Sequence, residues 1–583
     1  MTARLGPLHG GGLWGAVAVV LAFLAVSMPQ YGQPYVIDEA VFPYSSAGIL
    51  LHGAPYFYNG ETRPHDLGLW HPPLYEYLLA LEMLAFGTSS FVVRSFGAIC
   101  VITSFYVLSV AMRRIAPNLP QYGYVVLAAL FLLNPLVLSD ALVPDIDGTL
   151  GLVLVAFALW IATVLVQRPL SPRLLFALFA FAALAVSTKY ILAGIVAVLV
   201  GCAALLAPEQ RWRKVLVVFS TFAVGAAASL AVLFGLGVVL HFDARGPFSY
   251  LLSSLGTRAP GKSGWWGMVG NLLGGPGSNV VWIGPAIILS GALAWVIVIV
   301  LRPPNVSRRL IGLAVLSSFG IILGYSYITG SPYGFPKYTN IAVPGLALAI
   351  TALVALGPTI PADEIRRPVV VRRAVAGYVS ILIGGTAITV LAASHYEFGY
   401  VRKIGELVAL FGVDAMGVAV ATALLLLLIA RPAASARRGA QLRRLLVVGV
   451  LAVLVLAPAM VQASSSVVNL VSPYATRYYY GERGMAYFLV HADGIVPKGQ
   501  AIIAPKDVGL QLNRPFYEDA FLLPLSPAKL RTELTKIDVP WLATRDRYDY
   551  SEGVFPKQFA VLREFYTPVL SDSHSDFVLW KHR

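Results

Sequence analysis

The feature that most limits what this chain can fold into is a succession of apolar runs, each long enough to cross a lipid bilayer, recurring from the N-terminus to residue 463. A helix needs about 17 to 25 such residues to span the hydrocarbon, which offers no partner to a bare backbone amide or carbonyl. About thirteen runs reach that length or come within two residues of it: residues 13–28, 91–112, 123–139, 148–166, 174–188, 190–207, 215–240, 279–301, 309–328, 339–356, 373–394, 412–430 and 445–463. Charged residues make up 12 % of the 583, against about 25 % in an ordinary soluble domain. The chain therefore reads as an α-helical polytopic membrane protein, and a soluble enzyme is excluded.

A net charge of +14 would point to nucleic acid in a soluble protein, so its placement decides its meaning. Arg113 and Arg114, Arg168 and Arg173, Arg211 with Arg213 and Lys214, Arg302 with Arg308 and Arg309, Arg366 to Arg373, and Arg431 to Arg444 fall in alternate loops. The positive-inside rule makes those loops cytoplasmic. The intervening loops hold Asp38, Glu39, Glu61, Asp66, Asp140, Asp145, Asp147 and Asp243. The basic excess is thus topological, and no nucleic-acid partner is expected. The run from Leu13 to Met28 reads as a retained first helix in preference to a signal peptide. An odd number of spans then sends the C-terminus outside a plasma (inner) membrane.

Residues 1–463 form the expected transmembrane domain. Its first outer loop, 29–90, is too long for a connector, and its apolar end, Leu74 to Phe86, suits a helix lying on the membrane surface. The Gly-rich segment from His241 to Asn279, with Trp265 and Trp266, suits a mobile stretch at headgroup level. From Ser464 the composition becomes that of a water-soluble α/β domain, 464–583, on the extracytoplasmic side. Strands are expected at Gln500–Ala504, Trp541–Thr544 and Phe577–Trp580, with helices at Met485–Ala492 and Pro527–Ile537.

The residues able to carry chemistry gather in the outer loops. Asp38 and Glu39 stand where the chain leaves the first span; partial desolvation there would strengthen a carboxylate as proton acceptor, while a solvated pair ending a helix is the plainer reading. In His71-Pro72-Pro73 two prolines fix the backbone and hold the histidine, for structure or for a substrate contact. Asp145 and Asp147 have a D-x-D spacing that suits a divalent cation or hydrogen bonds to sugar hydroxyls. Outer cations are scarce: Lys189, Lys337 beside Tyr338, Arg245, Arg258 and Lys262. Each suits a lipid phosphate, and Lys189 also suits snorkelling to the interface.

Asp38-Glu39, then His71-Pro72-Pro73-Leu74, Phe86-Gly87 and Arg94 resemble the opening pattern of the type C superfamily of polyprenyl-phosphate-sugar-dependent glycosyltransferases. The likeness is to the bacterial branch similar to protein O-mannosyltransferases and lipid A aminoarabinose transferases. The Asp145 region, Thr188-Lys189, and Lys337-Tyr338 with Pro344 resemble its later motifs. The resemblance implies inverting transfer of a sugar from a polyprenyl-phosphate donor in the bilayer to an extracytoplasmic acceptor, which can be a glycan, lipid or protein. It makes Asp38, beside Glu39, the candidate base. His71, Asp145, Asp147 and Tyr338 become substrate contacts, and Lys189, Lys337, Arg258 and Lys262 partners of the leaving phosphate. No cofactor is assigned, and a divalent cation stays open. The competing expectation is a polytopic transporter or lipid flippase, for which many spans and buried charges are equally natural.

Overall fold

The computed structural model describes residues 10–35, 37–55, 69–117, 119, 121–258, 305–329, 336–356, 484–512, 514–519, 522, 525–545, 559–573 and 575–583. Nine of the expected spans fall on helices; those at 279–301, 373–394, 412–430 and 445–463 lie outside the described residues. The helices are α1 (Gly10–Ser27), α2 (Val41–His52), α3 (Leu74–Phe86), α4 (Ser90–Ile115), α5 (Gln121–Leu132), α6 (Pro135–Asp140), α7 (Leu150–Gln167), α8 (Pro172–Thr188), α9 (Tyr190–Leu206), α10 (Arg211–Leu240) and α11 (Gly246–Arg258), followed by Asn305–Thr329 and Val343–Leu356. α7 is apolar on every face and buried along almost its whole length, packed against α4 and α9. By contrast α10 turns Leu216, Phe219, Val224, Val232, Phe234, Val238 and Val239 outward, as a helix bordering lipid must.

Local chemistry sets the helix ends. The Ser89 hydroxyl caps α4 by accepting from the Val92 amide, and Ser171 caps α8 by accepting from Leu174, with Pro172 in the first turn. The expected single span 123–139 is instead two helices. Pro135 cannot continue α5, and the Asn134 side chain accepts from the Leu136 and Val137 amides to start α6. The first outer loop carries an additional helix, α2, and residues 246–258 form α11 where a mobile stretch was expected. A helix does occupy Leu74–Phe86, as α3: Leu81, Leu84 and Phe86 face outward while Tyr75, Glu76, Leu79 and Met83 are buried.

Contacts sort the helix ends into two sets. At the basic end, Lys214 donates to the carbonyls of Leu165 and Arg168, Gln167 to Arg114, Ser307 to Ile115 and Arg309 to Leu206. The other end gathers the first outer loop, the 140–149 segment and the α8–α9 junction. This alternation is the one the arginine clusters imply.

The C-terminal residues build a mixed five-stranded sheet in the order β2-β1-β3-β5-β4, from β1 (Ile502–Ala504), β2 (Phe516–Glu518), β3 (Trp541–Arg545), β4 (Tyr566–Ser571) and β5 (Phe577–His582). β1 runs parallel to β2 and β3, and β5 antiparallel to β3 and β4. Alternate residues serve opposite faces. Ile502, Ala504, Trp541, Ala543, Phe577 and Leu579 pack with helices Met485–Ile495 and Lys506–Leu512. Ile503, Leu542, Val578 and Trp580 pack with Pro527–Leu534 and Phe559–Phe565.

Candidate active site

Arg94, on the second turn of α4, is fully buried and organises the first outer loop. Its guanidinium donates to the carbonyls of Tyr31, Gln33 and Pro34, to Leu142 O at 3.0 Å, and to Glu39 Oε2 at 2.8 Å, and it lies 4.9 Å from the Tyr35 ring centre. Five donors in a rigid plane suit Arg to this many-sided role. The ion pair is entirely shielded from solvent. Removing one partner of such a pair costs about 3–5 kcal/mol, since the other charge is left buried alone. Glu39 is therefore committed to Arg94, beside Asp38 in the 3-10 turn Ile37–Ala40. Gly97, one turn further along α4, lets the acidic segment come close: a Cβ there would stand 2.1 Å from the Ala141 carbonyl oxygen.

The same acidic segment reaches a second buried pair. Between α8 and α9 the backbone of Lys189 is extended, with φ −164° and ψ 124°. The ammonium donates to Asp147 Oδ2 at 2.6 Å and lies 4.9 Å from the Tyr338 ring centre. Asp145 and Asp147 are both buried. The Lys189 ammonium balances the Asp147 charge, and among the described residues no three His, Cys, Asp or Glu side chains converge as a metal site would require. Contacts thus run from Glu39 through Arg94 to Leu142, and from Asp147 five residues on through Lys189 to Tyr338. Regions far apart in sequence meet at one end of the bundle.

His71 presents its ring edge-on to Tyr250 at 5.5 Å, and Trp70 stacks on the same tyrosine at 6.0 Å. This docks α11 against the corner of the first outer loop. The backbone of Lys337 lies in the 3-10 helix Pro336–Ala342 and that of Arg258 ends α11. The side chains of Asp38, Lys337 and Arg258, and the whole of Lys262, lie outside the described residues.

Glu76 lies on α3, within the apolar stretch Leu74–Phe86. It is fully buried, and neither carboxylate oxygen has a hydrogen-bond partner among the described residues. Burial raises its pKa to about 8; its own backbone amide opposes the rise and the charge of Asp145 adds to it. Trp70, Tyr250 and Arg94 also take structural parts that isolated sequence positions do not announce.

Residues 70–235 match the family model of dolichyl-phosphate-mannose-protein mannosyltransferases. None of the curated proteins matches the chain in sequence. In three dimensions the chain is similar to ArnT from Cupriavidus metallidurans bound to undecaprenyl phosphate, at 16 % identity over 97 % of each chain with a TM-score of 0.57. The apo state of that protein gives 0.56 at 16 % identity, over 97 % of this chain and 98 % of the other. The apo oligosaccharyltransferase of Archaeoglobus fulgidus, at 12 % identity over 92 % of this chain and 69 % of that one, has a TM-score of 0.45, too low to add to the argument. Fold and sequence match define a multi-pass membrane protein with the type C glycosyltransferase architecture. The fold is that of the type C membrane glycosyltransferases, and the sequence match to the mannosyltransferase family model is confined to residues 70–235. Neither match supports the transporter or flippase alternative.

Proposed function

We propose that this protein moves a sugar, with inversion, from a polyprenyl-phosphate donor to an acceptor on the extracytoplasmic side of the plasma membrane. One observation carries the reading: the first outer loop, the acidic 140–147 segment, the α8–α9 junction and Tyr338 converge through two buried ion pairs instead of scattering around the bundle. Asp38 takes the proton from the acceptor hydroxyl, a step that contributes typically about 10² to 10⁴-fold. Glu39, held by Arg94, positions it. Asp145 and His71 line the donor or acceptor side. Lys337, with Arg258 and Lys262, balances charge developing on the departing phosphate, while Lys189 and Asp147 form a neutral pair beneath Tyr338. The leaving polyprenyl phosphate stays in the bilayer, which gives a chemical reason for embedding the enzyme there. Residues 1–463 form the membrane domain in this reading and 464–583 the exported one.

The test is release of free polyprenyl phosphate from a panel of polyprenyl-phospho-sugars, using membranes that hold wild type or Asp38→Asn and a crude envelope extract as acceptor source. Sugar-selective release lost in Asp38→Asn supports the reading. Release from no donor overturns it, and release unaffected by the substitution removes Asp38 as the base.

A further inference from the structure

We propose that the C-terminal α/β unit is a working part of the catalytic centre, with Gln511 the positioning residue through which it holds the first outer loop; this rests on the transferase reading above. The Gln511 side chain grips one residue of that loop by both backbone groups. Its Oε1 accepts from the Tyr35 amide at 2.5 Å, and its Nε2 donates to the Tyr35 carbonyl at 2.9 Å. A primary amide used this way reproduces the two-bond exchange of a neighbouring strand. Tyr35 is buried and belongs to no helix or strand. Without Gln511 its backbone groups would lose these bonds where water does not readily replace them.

A second tether lies on the far side of Asp38. The ring of Tyr44, on α2, packs 5.7 Å from that of Phe516 on β2, and Tyr44 belongs to the apolar core of the C-terminal unit. Leu510 of that unit packs reciprocally onto the cluster formed by Tyr35, Ala40, Phe42, Tyr75 and Ile146. The 3-10 turn that carries Asp38 is therefore held at residue 35 before it and residue 44 after it. From beneath, Arg94 holds the carbonyls of Tyr31, Gln33 and Pro34. The gripping helix is itself anchored: Asp507, one turn ahead of Gln511, is fully buried and ion-paired with Arg545 on β3, and the Gln511 amide also donates to the Asp507 carbonyl. A continuous set of contacts thus joins the sheet to the backbone three residues ahead of the proposed base.

The experiment compares full-length wild type, Gln511→Leu, Gln511→Glu and the exposed control Lys529→Ala. Leucine keeps the bulk of the amide and removes both bonds, whereas glutamate keeps an acceptor for the Tyr35 amide. Two readouts are taken: kcat and KM for polyprenyl phosphate release, and hydrogen-exchange mass spectrometry of residues 31–44. A small displacement of a catalytic group costs up to about 100-fold. Gln511→Leu is expected to lower kcat about 10- to 100-fold with donor KM within about twofold, to lower the melting temperature by only a few degrees so that the protein stays folded at the assay temperature, and to speed exchange in residues 31–44. Gln511→Glu should fall between it and wild type, and Lys529→Ala should match wild type. Unchanged exchange in Gln511→Leu overturns the clamp, and so does faster exchange with unchanged kcat. Should Gln511→Leu fail to fold, Gln511→Glu decides on the same two readouts. If wild type releases no polyprenyl phosphate from any donor, the transferase reading fails, while exchange still reports whether Gln511 holds the loop.

Discussion

Glu76→Gln tests how an unpartnered acid is accommodated in the core beside the site. In the folded chain the carboxyl ionises near pH 8, against 4.5 as the ordinary value. Between those limits the folded chain keeps a proton that the unfolded chain has released. Raising the pH through this window therefore draws stability away from the fold, and above pH 8, with both forms ionised, the loss is complete. Each pH unit is worth about 1.4 kcal/mol, so roughly 3 kcal/mol has been lost by pH 7. Glutamine cannot ionise and removes this dependence. Thermal unfolding of the detergent-solubilised protein from pH 5 to 9, followed by tryptophan fluorescence, should show the two proteins close together at pH 5 and the variant more stable by several degrees at pH 8. Glu82, raised by burial to about 7 with an opposing hydrogen bond from Ser95, titrates in the same window but is common to both proteins. Parallel melting curves across the whole range would refute the reasoning.

Arg94→Met should destabilise by about 3–5 kcal/mol, and adding Glu39→Gln should restore part of that loss, because no uncompensated charge then stays buried; a double-mutant cycle in chemical denaturation measures the coupling. Lys189→Met should behave similarly, with Asp147→Asn as the restoring partner, and a cycle with no coupling would remove the pair from the argument. Gly97→Ala forces α4 away from the Ala141 carbonyl, at an expected cost of about 1–3 kcal/mol, and should lower polyprenyl phosphate release more than its lower melting temperature accounts for.

Apolar length made the spans readable, and abrupt loss of apolarity marked the C-terminal unit. Strands β1, β3 and β5 are legible because each central strand opens on a continuous apolar run, Ile502–Ala504, Trp541–Ala543 and Phe577–Trp580. β4 was not: it is an edge strand with mostly exposed residues, and it holds Pro568 and a register shift before Leu570. β2 is three residues long, too short for any alternation to show. At the site, the residue types could be read but their pairings could not. Lys189 meets Asp147 across 42 residues, and Arg94 meets Glu39 across 55. A lysine near acids looks the same in sequence whether it awaits a phosphate or already holds a carboxylate. The burial of Glu76 is not legible in sequence because an acid on an apolar helix is ordinarily turned toward water, whereas α2 packs against α3 and closes this one in.

The bond between Gln511 and Tyr35 joins residues 476 positions apart, which bears on when the protein matures during synthesis. A ribosome adding about 5–20 residues per second needs roughly 25 to 95 s to travel that distance. Throughout that interval the first outer loop has left the membrane with two backbone groups still lacking their eventual partner. Bundle helices can insert and pack in order as they emerge, but the loop cannot reach its finished conformation until all but about the last eighth of the chain has been made. A nascent chain stalled before residue 511 therefore holds the helix bundle with a first outer loop still short of its final shape.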